Sequence, residues 1–353
     1  MNKMGFGFLR LPKTGEDYDW KVLNEMVDLF LERGGRYFDT CYTYLNGNSE
    51  LGLRRCLTER HSRDSYELAE KLPGYNCKSY EDCFRFFEEE QERCGVKDFD
   101  VYLLHWLNGK NYELAEKYDE FRFLRELKAK GLTKRIGFSY HDSASLLDRI
   151  LKAHPEVDLV QLQLNYLDWE SAGIQSRQCY ETCVRHGKKV VVMEPIKGGT
   201  LANLPAEAEK LLRAAHGTWS NAEWALRFVQ SLPQVEICLS GMSSLSQVEE
   251  NMREVETLTA WRLSFLVRSG ASSNPALPYP VPDAAIARAT ARSVFPSPII
   301  SECTTNCAER RVTAGRSDPA ICSTLWDADA LRTACSAIPV SITVRRISRS
   351  QIS

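Results

Sequence analysis

A chain of 353 residues with 45 basic and 47 acidic side chains has room for one barrel-sized domain plus an appendage, or for two ordinary domains. Its net charge of -2 gives no electrostatic reason to expect nucleic acid or an anionic membrane as partner. No stretch approaches the ~18 consecutive apolar residues of a membrane span, and the first residues carry no signal-peptide pattern. The twelve cysteines are therefore expected as reduced thiols of a cytoplasmic protein. Cys179 and Cys183, one helical turn apart, have no further ligand at metal spacing and read as structural thiols; no metal site is expected.

In chain order, strand-like runs occupy Met4–Leu9, Tyr37–Thr40, Tyr66–Lys71, Phe99–His105, Arg135–Ser139, Leu159–Leu164, Lys189–Glu194 and Glu236–Gly241. Helical segments such as Trp20–Arg33, Ser79–Cys94, Tyr118–Lys130, Ser143–Ala153 and Ala222–Leu232 lie between them. Gly34-Gly35 and Asn46-Gly47-Asn48 are connection signals. Eight short apolar strands alternating with helices predict an α/β fold of the (β/α)8 TIM-barrel type. An open doubly wound sheet would alternate similarly, but no G-x-G-x-x-G follows the first strand.

Beyond residue 260 the composition changes. The last 93 residues hold eleven arginines, six acidic residues and no lysine, a net +5 that leaves -7 for the part before them. They also lack hydrophobic periodicity, so the chain divides into a barrel, 1–258, and a low-order tail, 259–353, expected to be disordered. A basic interaction arm is the alternative for the tail, but its arginines are spread rather than clustered.

Chemistry in such a barrel belongs at the C-terminal strand ends. Asp39 ends the second strand-like run, Tyr44 follows five residues later, Lys71 ends the third run and His105 the fourth. Taken singly, each strand-end ionisable residue has a bland reading as a solvated terminus. Together they form a coherent set: a lysine stabilises phenolate and lowers a tyrosine pKa, a carboxylate keeps the lysine charged, and a histidine can hydrogen-bond a carbonyl.

Phe38-Asp39-Thr40-Cys41-Tyr42-Thr43-Tyr44, the strand-end Lys71 and Leu103-Leu104-His105 resemble the active site of the aldo/keto reductases, over roughly residues 4–256. The resemblance implies a carbonyl reductase using NADP(H) or NAD(H) on a small aldehyde or ketone. It makes Tyr44 the general acid, Lys71 the residue that tunes it, Asp39 the partner of Lys71, and His105 the group that orients the carbonyl. By the family's spacing Tyr42 is not the acid, and Trp106 is a candidate pocket wall.

The resemblance also implies cofactor contacts. Ser139 in Ile136-Gly137-Phe138-Ser139 and Gln163 in Gln161-Leu162-Gln163 would meet the nicotinamide carboxamide, and Glu194 stands at the end of strand 7. Ser240, Gly241, Met242, Gln247 and Asn251, with Glu250, would hold the adenosine end. Departures matter here. Ser139-Tyr140-His141 replaces a Ser-Asn pair, Met193-Glu194-Pro195 replaces a stacking aromatic, and Gly241 and Gln247 stand where NADPH-specific members carry cations. The 2′-phosphate clamp is thus not provided in the usual way, and NADPH against NADH stays open. Lys197 could reach a phosphate or be a solvated loop lysine. The other function readings are a Schiff-base lyase using Lys71 and a non-catalytic nicotinamide-nucleotide-sensing barrel.

Glu194-Pro195-Ile196-Lys197-Gly198-Gly199 and Leu239-Ser240-Gly241-Met242-Ser243 resemble one branch of the family, whose members carry a ferredoxin-like C-terminal region with [4Fe–4S] clusters. The C-x2-C-x2-C-x3-C-P pattern of such a region is absent here; Cys303, Cys307, Cys322 and Cys335 have other spacings, so no cluster is expected in this chain. Reading the last base of each codon with the first two of the next, from Pro278–Tyr279, permits that pattern. Its cysteines arise where the visible frame has Val281, Ala284, Ala287 and Ala291. A frameshift near the codons for Thr257–Trp261 accounts for the tail's composition.

Overall fold

The computed structural model describes residues 3–253 except residue 16, together with 258–259, 262–263 and 265–267. Eight parallel strands close into a barrel: β1 (Met4–Gly7), β2 (Tyr37–Asp39), β3 (Glu67–Leu72), β4 (Phe99–Leu107), β5 (Thr133–Tyr140), β6 (Leu159–Gln163), β7 (Lys189–Met193) and β8 (Val235–Ser240). Each pairs with its neighbour in sequence, and β1 closes on β8 through Met4↔Cys238 and Phe6↔Ser240. This is the expected (β/α)8 TIM barrel, with every strand end within two residues of its predicted position. The helices are α1 (Trp20–Glu32), α2 (Asn48–Leu53), α3 (Tyr80–Cys94), α4 (Gly109–Lys117), α5 (Glu120–Ala129), α6 (Ala144–Ala153), α7 (Ser176–Arg185), α8 (Ala206–Ala215), α9 (Asn221–Gln230) and α10 (Leu245–Asn251).

Local signals explain the elements. In α1, Asp19 caps the first turn by accepting from the Val22 N–H at 3.0 Å, and Leu23, Met26, Val27 and Phe30 form one buried stripe. Ser220 and Glu223 form a reciprocal capping box at the start of α9. Along the strands, alternate side chains point to opposite faces. Tyr37, Ala69, Val101, Leu103, Leu159, Val191, Ile237 and Leu239 therefore pack together inside the barrel. Their neighbours, among them Phe6, Phe38, Leu68, Tyr102, Phe138 and Val190, join the larger core under the helices. Gly137 is needed where β5 meets β6, because a Cβ there would stand 2.3 Å from the Leu159 carbonyl oxygen. Arg135 ion-pairs with Glu67 at 3.1 Å and with Glu236. Those partners lie two and three strands away, so the pairs run across the end of the barrel opposite the site.

The packing extends past the expected boundary at 258. Leu263, Leu266 and Val267 are buried in the same core as Leu258, because an apolar stretch beside α9 is covered whatever follows it. The rest of the tail, where the sequence reading expects a frameshifted ferredoxin-like region, lies outside the described residues. The eight described cysteines are free and buried, as structural thiols.

Behind the wall of the barrel, on the opposite face of β3 from Lys71, sits a cluster of carboxyls with no motif along the chain to announce it. Glu50, Glu70 and Glu90 are all fully buried. Cys94 donates its thiol to Glu70 Oε2 at 3.4 Å, Tyr102 donates to Glu90, and Arg93 Nε stands 3.1 Å from Glu50 Oε2. Burial pushes the Glu50 carboxyl up to about 9, with repulsion from Glu70 adding to it, and burial raises Glu70 to about 7 against the pull of Lys71. The folded protein thus binds protons here that the unfolded chain, at the ordinary 4.5, has released. Stability is greatest below about pH 4.5 as far as these groups are concerned, and falls as pH rises towards 9, by an amount on the order of a few kcal/mol. Glu50→Gln is expected to flatten this slope and to raise the urea midpoint at pH 8; an unchanged slope from pH 5 to 9 would remove the cluster as its source.

Candidate active site

Parity along adjacent strands brings the first two residues together. Asp39 and Lys71 both point inward, from β2 and β3, which pair through Asp39↔Ala69. Lys71 Nζ donates to Asp39 Oδ1 and to the Thr40 carbonyl oxygen, each at 2.6 Å, with 1% of the side chain exposed. Gln161, inward on β6, donates to the other Asp39 oxygen at 3.4 Å.

Tyr44 opens a single 3-10 turn, Tyr44–Gly47, in which Leu45, Asn46 and Gly47 have φ of 54°, 55° and 85°. The turn folds the loop back over the rim, and its ring centre comes to 4.9 Å from Lys71 Nζ and 5.9 Å from the His105 ring. His105 points inward from β4, with Nδ1 3.2 Å from Cys41 Sγ and 3.4 Å from Tyr75 Oη. The β4–β5 ladder breaks between Leu104 and Leu107, and Trp106 there has φ of 61°. A left-handed tryptophan is strained by about 1–3 kcal/mol; its N–H is held by Ser139 Oγ at 2.7 Å. All four members of the expected tetrad are thus gathered at one rim. Tyr42 is turned away, donating to Glu89 at 2.8 Å and packing edge-on against Phe86.

The electrostatics differ in one respect from the expectation. Burial opposes the Lys71 charge, but Asp39 and Tyr44 outweigh it and hold the ammonium charged. Burial raises the Tyr44 phenol, and Lys71 only partly offsets this, so Tyr44 keeps its proton rather than moving towards phenolate. His105 is pushed down to about 3, by burial and then by Lys71 and His141, and is therefore neutral at physiological pH.

A cavity of about 650 Å³ opens above this set and runs to the loops after β7 and β8. Its lining includes Asp39, Tyr44, His105, Trp106 and Ser139 together with Glu194, Ser240, Gly241, Gln247, Glu250 and Asn251. Asn251 Nδ2 donates to Ser240 Oγ at 3.0 Å, and Gln247 Oε1 accepts from the Ser243 N–H at 2.7 Å. Glu194 has φ of 54°, and its carbonyl oxygen accepts from Asn165 at 3.3 Å.

Of the residues named from the sequence for coenzyme contact, Gln163, Met242 and Lys197 do not line this cavity. Gln163 sits one rung further along β6 and lines a separate recess of about 110 Å³ beside His141 and Cys179, with Ser176 donating to its carbonyl oxygen at 2.8 Å. Gln161, two residues earlier on β6, lines the main cavity, and nothing local in the sequence distinguishes the heights of the two glutamines. Met242 is fully buried and packs in the core. Lys197 donates to both oxygens of Asp168 at 2.6 Å. Arg10 and His141 line the cavity without having been singled out, since both arrive on connections.

The sequence model of the Aldo/keto reductase family matches residues 3–260. The chain belongs to the aldo/keto reductase family. One curated relative, the 9,11-endoperoxide prostaglandin H2 reductase of Trypanosoma cruzi, is 25% identical over 203 residues, which cover 56% of this chain and 66%, just under two thirds, of that relative. Among solved structures, an aldo-keto reductase from Bacillus halodurans in its holo form superposes with a TM-score of 0.63 at 22% identity, covering 76% of this chain and 91% of its own. An aldo-keto reductase from Klebsiella pneumoniae in complex with NADPH gives a TM-score of 0.59 at 19% identity, covering 75% of this chain and 90% of its own. At these identities the likeness concerns the barrel.

Proposed function

We propose that this aldo/keto reductase transfers hydride reversibly between a nicotinamide coenzyme, NADP(H) or NAD(H), and a small aldehyde or ketone. The observation that carries the reading is the buried Lys71–Asp39 pair beneath Tyr44, beside a neutral His105, under a cavity that Asp39, Tyr44 and His105 line. The fit to a nicotinamide rests on one orphaned group. Gln161 Oε1 is buried on the cavity wall with no hydrogen-bond partner, near Ser139, whose hydroxyl proton is free to be donated. An acceptor and a donor side by side match the two ends of a carboxamide. Gly7 and Gly199 add no side chain to the remaining wall, and nothing lies within 4 Å of a Cβ placed on Gly199. Ser240, Gln247 and Asn251 stand at the adenosine end.

A bound reduced nicotinamide would supply the hydride. Tyr44 donates the proton to the carbonyl oxygen as negative charge develops there. Lys71 stabilises the phenolate that remains, while Asp39 and the Thr40 carbonyl oxygen hold the ammonium in place. Neutral His105 donates an N–H to the same oxygen and orients the carbonyl. The Schiff-base alternative is disfavoured by the same geometry: an imine-forming lysine needs a depressed pKa, and Lys71 is held charged.

The barrel unit is assigned this activity; a [4Fe–4S] region belongs to the related branch and not to the visible frame. Coenzyme oxidation with a panel of aldehydes and ketones tests the reading. Turnover with at least one substrate and no borohydride-trapped adduct is expected. No oxidation of either coenzyme with any substrate, although nucleotide binds, would favour a sensing role instead.

A further inference from the structure

The cations of the cavity raise a question the tetrad leaves open: which group meets the phosphates of a dinucleotide. Lys71 is committed to Asp39, and Lys197, next to the rim, is committed to Asp168. His105 is neutral, and burial keeps His141 down at about 4. Arg10 differs from all of these. It is exposed, lines the cavity, and has neither ion pair nor hydrogen bond among the described residues.

Its position is well defined by two glycines. A Cβ on Gly241 would meet Arg10 Cδ, Cβ and Cγ at 3.2–3.3 Å, so the stem of the side chain lies on the loop after β8. A Cβ on Gly198 would stand 3.3 Å from an Arg10 terminal nitrogen, so the guanidinium reaches the loop after β7. Gly198 and Gly199 have φ of 64° and 101°, backbone that only glycine adopts without strain. Any side chain at Gly241 would displace Arg10 from the wall.

The arginine therefore spans the loops after β7 and β8 on the wall of the same cavity that Tyr44 and His105, and Gln247 and Asn251 of α10, also line. The lining contributed by α10 is not cationic. Gln247 Oε1 is occupied by Ser243, and Glu250 there accepts from Ser220. A 2′-phosphate beside Gln247 and Glu250 finds no cation on those residues, whereas a diphosphate over the loops after β7 and β8 finds in Arg10 a planar fork of donors suited to bidentate phosphate contact.

We propose that Arg10, on the connection after β1, is the residue that binds the diphosphate bridge of the coenzyme, a proposal that rests on the nicotinamide-dependent function above. The contact is to the part common to NADH and NADPH, so Arg10 contributes affinity to both equally and does not discriminate between them.

Calorimetric titration of ADP-ribose, NADH, NADPH and adenosine into the full chain tests this. Arg10→Ala is expected to raise Kd for ADP-ribose, NADH and NADPH by a similar factor of about 10–100, the range of a lost charge-assisted bond. Adenosine binding should not change. Arg10→Lys, which keeps the charge but loses the fork, should recover part of the loss, where a purely structural role would respond to neither distinction. Unchanged Kd values for the Ala variant overturn the proposal. So does a loss confined to NADPH, which would put Arg10 on the 2′-phosphate, or an equal loss for adenosine, which would mean collapsed loops. Failure of the unaltered protein to bind any of these nucleotides sinks the underlying function, and this proposal with it; tight binding to the unaltered protein with an indifferent Arg10→Ala sinks the proposal alone.

Discussion

Tyr44→Phe is expected to lower kcat for carbonyl reduction by about 10²–10⁴-fold, the range for removing a positioned general acid. The Phe ring keeps the edge-on contact with His105, 5.9 Å between ring centres, and the place above Lys71, so the fold and the coenzyme end of the cavity have no reason to change. The loss should therefore fall on kcat, with Kd for NADPH or NADH altered less than about twofold, a split that marks an interaction made only in the transition state. The pH profile adds a second check. Burial holds the Tyr44 phenol above its ordinary value, and His105 is neutral down to about pH 3. The unaltered enzyme should accordingly show no acid-side loss from His105 protonation above about pH 4. A Tyr44→Phe enzyme with unaltered kcat would end the assignment of Tyr44 and point instead to Tyr75, whose hydroxyl stands 3.4 Å from His105 Nδ1.

Lys71→Met is expected to abolish measurable turnover and to destabilise the protein by about 3–5 kcal/mol at pH 8, because it leaves the Asp39 carboxylate buried without its counter-charge. Met is close in volume to the lysine stem, so the loss is electrostatic rather than a cavity. Burial already holds the Asp39 carboxyl above its ordinary value against the pull of Lys71, and with Lys71 gone that rise is larger. The destabilisation should then be smallest below about pH 4, near the unfolded carboxyl, and grow as pH rises through the raised folded value. Asp39→Asn combined with Lys71→Met should regain much of the stability without regaining activity. Urea unfolding at pH 5 and pH 8 measures both. A single variant as stable as the parent at pH 8 would mean that Asp39 and Lys71 are not the charged pair their 2.6 Å contact implies.

The four tetrad residues could be picked out from the sequence because the signal for them is local. Each closes or follows a short apolar strand, and the two-residue period decides which face Asp39, Lys71 and His105 take. The same period could not choose between Gln161 and Gln163. Both point inward from β6, and only the stagger of the closed barrel sets which one reaches Asp39. Glu50, Glu70 and Glu90 read as solvated charges on ordinary segments, and their burial depends on how α2 and α3 dock on β3.

By itself, the sequence determined the alternation of strands and helices, the parity of each strand and the acid–lysine–tyrosine–histidine set, since these follow from contacts and spacings within a few residues. Tertiary structure alone decided what the cavity contains between its two ends. Arg10 and Gly241, or Lys197 and Asp168, meet only when the barrel closes and its loops gather at one rim, and nothing in the neighbourhood of either residue along the chain encodes that meeting. The tyrosine's proton is decided there too. The residue types promise a lysine that lowers its pKa, but the depth at which the closed barrel buries the pair lets desolvation prevail over that attraction.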